Sequence, residues 1–237
     1  MIADDLQARV TAGEFRAGRL LPSEAELSRT YGVSRVTIRK ALEQLRADGL
    51  LDARQGFGWF VAVDPLRQTL GRLGTIEAQL EALGAQPERR ILDFGFVAAP
   101  RRVRPYLGDG DVLRVRRVNL ANGEPFARVT VWAPEKFGRG LSRDAVEAHS
   151  FYELLPVKVG GATQTIGAAA AGASDAAVLE VPVGSPILRC ERVTFDRERR
   201  PLLVAEHVFP AHRSEFVVEL PSGEGESIAP SGLRLVD

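Results

Sequence analysis

The chain has 237 residues, of which 45% are hydrophobic and 26% charged, and its 31 basic and 31 acidic residues cancel. This is globular composition, long enough for one or two domains, and it excludes a disordered chain and counts against a protein that coats nucleic acid indiscriminately. No apolar run reaches the roughly 18–20 residues that span a bilayer, and "MIADDLQARV" has acidic residues where a signal peptide would be basic, so a cytoplasmic protein with no membrane contact is expected.

Ile2, Leu6 and Val10 recur at helical spacing, and Gly13 ends that segment. In "LPSEAELSRTYG", Ser23 and Glu26 form the pattern of a capping box, Leu27 and Tyr31 share an inward face, and Gly32 stops the helix. Ser34 caps a third helix that runs to about Asp48, with Ile38, Ala41, Leu42 and Leu45 as its apolar stripe. Arg35, Thr37, Arg39 and Lys40 lie off that stripe in the first two turns. Two helices joined by Gly-Val-Ser, the second carrying cations and a hydroxyl at its front, form the arrangement of a helix-turn-helix. Its second helix enters a major groove N-terminus first, where such groups meet base edges and phosphates. Leu50-Leu51 and Phe60-Val61 then bracket "RQGFG", which reads as a hairpin wing with Arg54 and Gly56 near its tip.

The run "LPSEAEL…YGVSRVTIRKALEQLRADGLL…RQGFGWFV" closely resembles the winged helix-turn-helix signature of the GntR family of bacterial transcription regulators. The resemblance implies DNA contacts from Arg35, Thr37, Arg39 and Gly56. Ala25 stands where the family often has Arg, and Phe57 and Trp59 where its wing usually has small polar or basic residues.

"AVDPLRQTLGRLG" carries Pro65, two glycines and no strong periodicity, so a linker is placed at residues 64–74, between a DNA-binding domain at 1–63 and a second domain at 75–237. A helix follows, capped by Thr75, with Ile76, Leu80 and Leu83 inward and Gly84 as its stop. Beyond it the chain repeats itself. "VLRVRRVNLANGEPFARVTVWAP" aligns with "ILRCERVTFDRERRPLLVAEHVFP", so that Arg117 matches Arg192, Pro125 matches Pro201 and Pro134 matches Pro210. Each unit reads as strand, turn, strand, and Asn122-Gly123 is a strong hairpin signal. "SFYELL", a strand near Thr163–Ala171 and a helical "SDAAVLEV" lie between them. The sum is an α+β domain, an antiparallel sheet with helices on one side. Strand alternation aims Arg117 and Arg192 toward the apolar face. A buried cation needs a partner, either Glu180 or Glu206 in a structural ion pair or an anionic ligand that takes the bidentate guanidinium fork.

From about Gly84 to Leu220 the chain also resembles the UTRA effector-binding domain of the HutC subfamily, whose fold is similar to chorismate lyase. The paired "RV…GEP…P" units, "SFYELL" and "RSEF" carry the likeness. It implies that Arg117 and Ser150 hold the anionic group of an effector, a sugar phosphate or carboxylate, with Tyr152 lining the site and Glu206 facing polar ligand groups. Asn119 stands at a site position where many members have a second Arg, and Val129 where many have Glu.

The single Cys190 excludes an internal disulfide, and His149, His207 and His212 are too dispersed to suggest a metal site or a special role. No cofactor is called for. The expected function is a ligand-responsive repressor that binds double-stranded operator DNA as a homodimer. Two alternatives stand beside it: an enzyme acting on a small carboxylate or phosphate through the lyase-like domain, and a DNA-bound architectural protein with no effector.

Overall fold

A computed structural model of the chain describes residues 2–54, 58–63, 65–69, 74–82 and 84–218. Three helices open it, α1 (Ile2–Thr11), α2 (Glu24–Tyr31) and α3 (Arg35–Ala47), followed by the hairpin β1 (Leu51–Arg54) and β2 (Gly58–Val61). The α2 start has the full capping box: the Ser23 hydroxyl accepts from the Glu26 amide, and the Glu26 carboxylate accepts from the Ser23 amide. Gly32 takes a left-handed conformation (φ 64°) and ends α2. Leu6, Leu27, Ile38, Leu42 and Leu45 are buried together with Leu51, Trp59 and Val61, so the hairpin closes the bottom of the three-helix core. Gly56 and Phe57 lie outside the described residues.

The second unit contains β3 (Leu66–Thr69), α4 (Ile76–Ala82), β4 (Pro87–Ala98), α5 (Arg104–Leu107), β5 (Asp111–Ala121), β6 (Glu124–Pro134), α6 (Glu135–Gly138), α7 (Arg143–Ala148), α8 (Phe151–Leu154), β7 (Val159–Ala170), α9 (Ala173–Leu179), β8 (Pro186–Asp196), β9 (Pro201–Pro210) and β10 (Ser214–Val217). Six strands make one antiparallel sheet in the order β4-β5-β6-β9-β8-β7. It consists of two three-strand meanders joined where β6 pairs with β9. The two sequence repeats are the β5–β6 and β8–β9 hairpins, which face each other across that junction. Asn122 (φ 52°) and Gly123 (φ 79°) make the first turn left-handed at both central residues, as a two-residue hairpin requires.

Two features differ from the sequence expectation. The linker is partly structured, because β3 pairs in parallel with β10, from Leu66 opposite Ser214 to Thr69 opposite Val217. A four-residue strand carries too little periodicity to be legible, and its partner lies almost 150 residues on. The helices also occupy both faces of the sheet. α4, α7 and α8 cover the face that holds Val115, Val129, Val131 and Ala205. α5 and α9 cover the other, with Trp132, Val204, Val208 and Ile187.

The two units touch through named contacts. Arg16 and Arg19 bond Glu124 at 2.9 and 2.7 Å, and Arg19 also reaches Glu180. The His212 imidazole hydrogen bonds the Gly18 carbonyl at 2.9 Å and packs edge-on against Phe60. Gly18 has φ 71°, a left-handed conformation that L side chains rarely adopt, and a Cβ there would crowd the Arg213 side chain at 2.9 Å. Leu42→Ala, which empties the centre of the first core, should cost about 2–5 kcal/mol. Urea unfolding followed by helical circular dichroism checks it, and an unchanged midpoint would show that the site collapses freely.

Candidate nucleic-acid interface and anion pocket

The front of α3 is built by its cap. The Ser34 hydroxyl accepts from the Thr37 amide at 3.2 Å and lies 2.9 Å from the Thr37 hydroxyl, which fixes both polar groups at the helix start. Arg35, Thr37, Arg39 and Lys40 are all exposed there. Arg39 is held by a two-point contact, Nε and Nη2 to the two oxygens of Glu24 at 2.9 and 2.7 Å. The Trp59 indole donates to the same Glu24 at 3.1 Å. Trp59 therefore packs beneath the wing, and through Glu24 it orients a cation of the reading helix. The hydrogen bond from Arg39 holds the Glu24 carboxyl below its usual range. Sequence reading passed over Val36, which is 66% exposed between these polar residues. An apolar side chain there is suited to a thymine methyl group. Arg54 ends β1, and its Nη1 donates to the Ala211 carbonyl of the second unit at 2.8 Å.

On the sheet face covered by α4 and α8 lies a solvent-open pocket. Arg117 and Arg192 enter it from β5 and β8, with Ser150 and Tyr152 from the start of α8 and Glu77 from α4. Arg117 is 7% exposed, and its Nε and Nη1 have no hydrogen-bond partner among the described residues. Burial drags its pKa down to about 10, against the pull of Glu77, whose carboxylate is 3.8 Å away; the guanidinium stays charged at neutral pH. Burial pushes the Glu77 carboxyl upward, but the hydrogen bond from Arg89 and the charge of Arg117 outweigh it and hold it at about 2. Glu77 also accepts from the Asn119 amide at 2.6 Å. Arg192 donates to Gln164 at 2.8 Å and to the Tyr152 hydroxyl at 3.2 Å. Ser150 is the cap of α8, accepting from the Glu153 amide at 3.3 Å. Two arginines against one glutamate leave the lining with a positive surplus.

The sequence reading placed Glu206 in this site; the structure places it on the opposite face. It pairs across the sheet with Thr130 and Glu191, and its carboxylate accepts from Arg128 Nη1 at 2.6 Å and from Arg102. Arg128 in turn binds Asp175 of α9 at 2.9 Å, so this buried cation is fully occupied. The reason is the two-residue period of a strand: one step along β9 reverses the face. The pocket residue is the neighbour, His207, which reads as unremarkable in sequence. Burial, aided by the nearby arginines, pushes His207 down to about 3, so it lines the site as a neutral ring. The repeat carries a signal for it, since His207 aligns with Val131, another lining residue. Glu180 does not reach Arg117 either, being engaged with Arg19. Among the described residues no cluster of His, Cys, Asp or Glu could hold a metal.

Two family models match the chain. Residues 1–61 match the model of the gntR family of bacterial regulatory proteins, and residues 82–215 match the UTRA domain. An HTH-type transcriptional regulator of Mycobacterium tuberculosis is 35% identical, over 93% of this chain and 84% of that protein. The HTH-type transcriptional repressor NagR of Bacillus subtilis is 27% identical over 91% of both chains. The crystal structure of PhnF from Mycobacterium smegmatis superposes with a TM-score of 0.63 over 94% of this chain and all of that one, at 23% identity, a likeness of fold.

The two buried histidines make the fold acid-sensitive. Burial holds His207 near 3 and His212 near 4, against an ordinary 6.5 in the unfolded chain. Between pH 6.5 and 4 the unfolded state therefore binds more protons, and stability falls as pH falls through that window. Urea midpoints measured at pH 7, 5.5 and 4.5 should decline, and less steeply in His212→Gln; identical slopes in the two proteins would remove His212 from the account.

Proposed function

This chain belongs to the gntR family of bacterial regulatory proteins, with a UTRA domain as its second unit; from that premise we propose that it is a cytoplasmic, homodimeric repressor whose grip on double-stranded operator DNA is weakened by a small anion. Its relatives are transcriptional regulators, and they give the enzymatic reading no support. Arg35, Thr37, Arg39 and Lys40 read or position the DNA, with Val36 as an apolar base contact. Arg117 binds the carboxylate or phosphate of the effector, with Ser150, Tyr152, Arg192 and neutral His207 around it, and Asn119 holding Glu77 in place.

One observation carries the effector assignment: a buried, charged Arg117 with two donor nitrogens unsatisfied, lining a solvent-open pocket. A structural arginine in the same sheet, Arg128, has its partners in place. The route to the DNA-binding unit is short. The pocket wall at Gly74–Glu77 follows β3 in the chain, β3 is paired with β10, and β10 follows the Ala211–Arg213 segment that holds Arg54 and Gly18. A ligand that draws Arg117 from Glu77 shifts that segment, and by linkage DNA must weaken ligand binding as much as ligand weakens DNA binding.

An anisotropy titration against the DNA upstream of the coding region, over a salt series, tests the reading. Tight, sequence-selective binding released by one of a panel of small carboxylates and sugar phosphates supports it; binding no tighter than to random DNA overturns it. Arg39→Ala should weaken operator binding by about ten- to a hundredfold and change random-DNA binding far less. Arg117→Ala should bind operator normally and no longer release it, with Arg117→Lys intermediate because a point charge replaces the fork. If Arg117→Ala melts instead, that arginine is structural.

A further inference from the structure

Three cations stand at the front of α3, and they are not equivalent. Arg35 and Lys40 are exposed and make no ion pair among the described residues. The Arg39 side chain is 65% exposed, yet its Nε and Nη2 are both taken by Glu24. Glu24 is the first residue of α2, just past the Ser23 cap, and its own side chain is 19% exposed. Its Oε1 takes another bond from the indole of Trp59, which is buried on β2. The carboxylate is thus fixed from three sides, by its helix start, the indole and the guanidinium. An ion pair in which one partner is this exposed contributes little to stability, so holding the fold together does not account for the arrangement. Its effect falls on Arg39. A guanidinium has two edges that make a paired contact, Nε with Nη2 and Nη1 with Nη2. Glu24 occupies the first and leaves the second without a protein partner among the described residues.

We propose that Glu24 sets the sequence discrimination of the DNA-binding unit, by aiming Arg39 and cancelling its charge. The inference rests on the reading of Arg39 as a DNA contact. Sequence-independent binding comes from cations that displace counterions from phosphates. A tethered Arg39 adds little to it, because its charge is matched at 2.7 Å by Glu24, and a phosphate that approaches the guanidinium also approaches the carboxylate. The N7 and O6 of a guanine are a paired acceptor without net charge. They fit the remaining Nη1–Nη2 edge and meet far less repulsion. Glu24 therefore withdraws Arg39 from the general attraction and keeps it for the edge contact, while the charges of Arg35 and Lys40 stay uncompensated toward the phosphates. Trp59 is a further positioning residue, acting through Glu24.

Fluorescence anisotropy tests this on the full chain, against the upstream duplex that wild type selects and a random duplex of equal length, each over a salt series. Glu24→Gln keeps the size of the side chain and an acceptor for the indole, and loses the charge. It should bind random DNA roughly three- to tenfold more tightly, with a salt slope steeper by about 0.9, the mark of one more phosphate contact. Its preference for the selected duplex should fall by about tenfold or more. Trp59→Phe should move the preference in the same direction by less. In an Arg39→Ala background Glu24→Gln should leave the preference unchanged, since no guanidinium remains to be aimed. Equal weakening on both duplexes with a lowered melting temperature makes Glu24 a structural partner of the two helices and overturns the inference, as does an unchanged preference and slope. An Arg39→Ala variant that binds the selected duplex as wild type does overturns the reading of Arg39 and this inference with it. A wild type that prefers no duplex overturns the assignment of the whole reading surface.

Discussion

A guanidinium buried against a sheet face needs a counter-charge, and for Arg117 it arrives from outside the sheet. Glu77 comes from α4, across the mouth of the cavity, and it is shared: Arg89 and Asn119 take its closest contacts at 2.7 and 2.6 Å, and Arg117 stands off at 3.8 Å. Removing an ion from water costs several kcal/mol and is offset only by good geometry and complete hydrogen bonding. Arg117 has the charge balance without the hydrogen bonds. On the other face of the same sheet Arg128 has both, through Asp175, Glu206 and Thr130. The contrast separates an arginine that holds the fold from one arranged to receive something.

The position of the pocket follows from the internal repeat. The two hairpins meet where β6 pairs with β9, and equivalent residues line the cavity from the two sides, Arg117 with Arg192 and Val131 with His207. What breaks the symmetry is the cover. α4 and α8 bring Glu77, Ser150 and Tyr152 from segments outside the repeat, so one arginine is tied to a hydroxyl and an amide while the other remains short of partners.

The contacts between the two units are modest by comparison. The pairs of Arg16 and Arg19 with Glu124 and Glu180 are partly exposed, and such pairs contribute at most about 1 kcal/mol each. The buried His212–Gly18 contact is neutral. A docking of that strength sets an orientation for the DNA-reading unit that a ligand of ordinary affinity can alter.

The amino-acid sequence by itself determined the first unit almost completely. Caps at Ser23 and Ser34, the left-handed stop at Gly32 and a 3.6-residue apolar stripe are local signals, and a small helical core needs little else. The repeat, its hairpin at Asn122-Gly123 and the pocket-facing aim of Arg117 were equally legible, because pattern and alternation act between neighbours in the chain. What the tertiary structure decided was everything that depends on which face a doubly covered strand presents and on who arrives from afar. β9 is buried on both sides from Leu202 to Pro210, so its apolar run shows no alternation to read, and Glu206 and His207 exchange the roles expected of them. Glu77 as the partner of Arg117, Trp59 as the support of Glu24 and Arg39, and the turning of Arg54 toward Ala211 are contacts between segments separated by 35 to 157 residues or joined only by packing. No local preference encodes them; they depend on which distant segments the packing brings together.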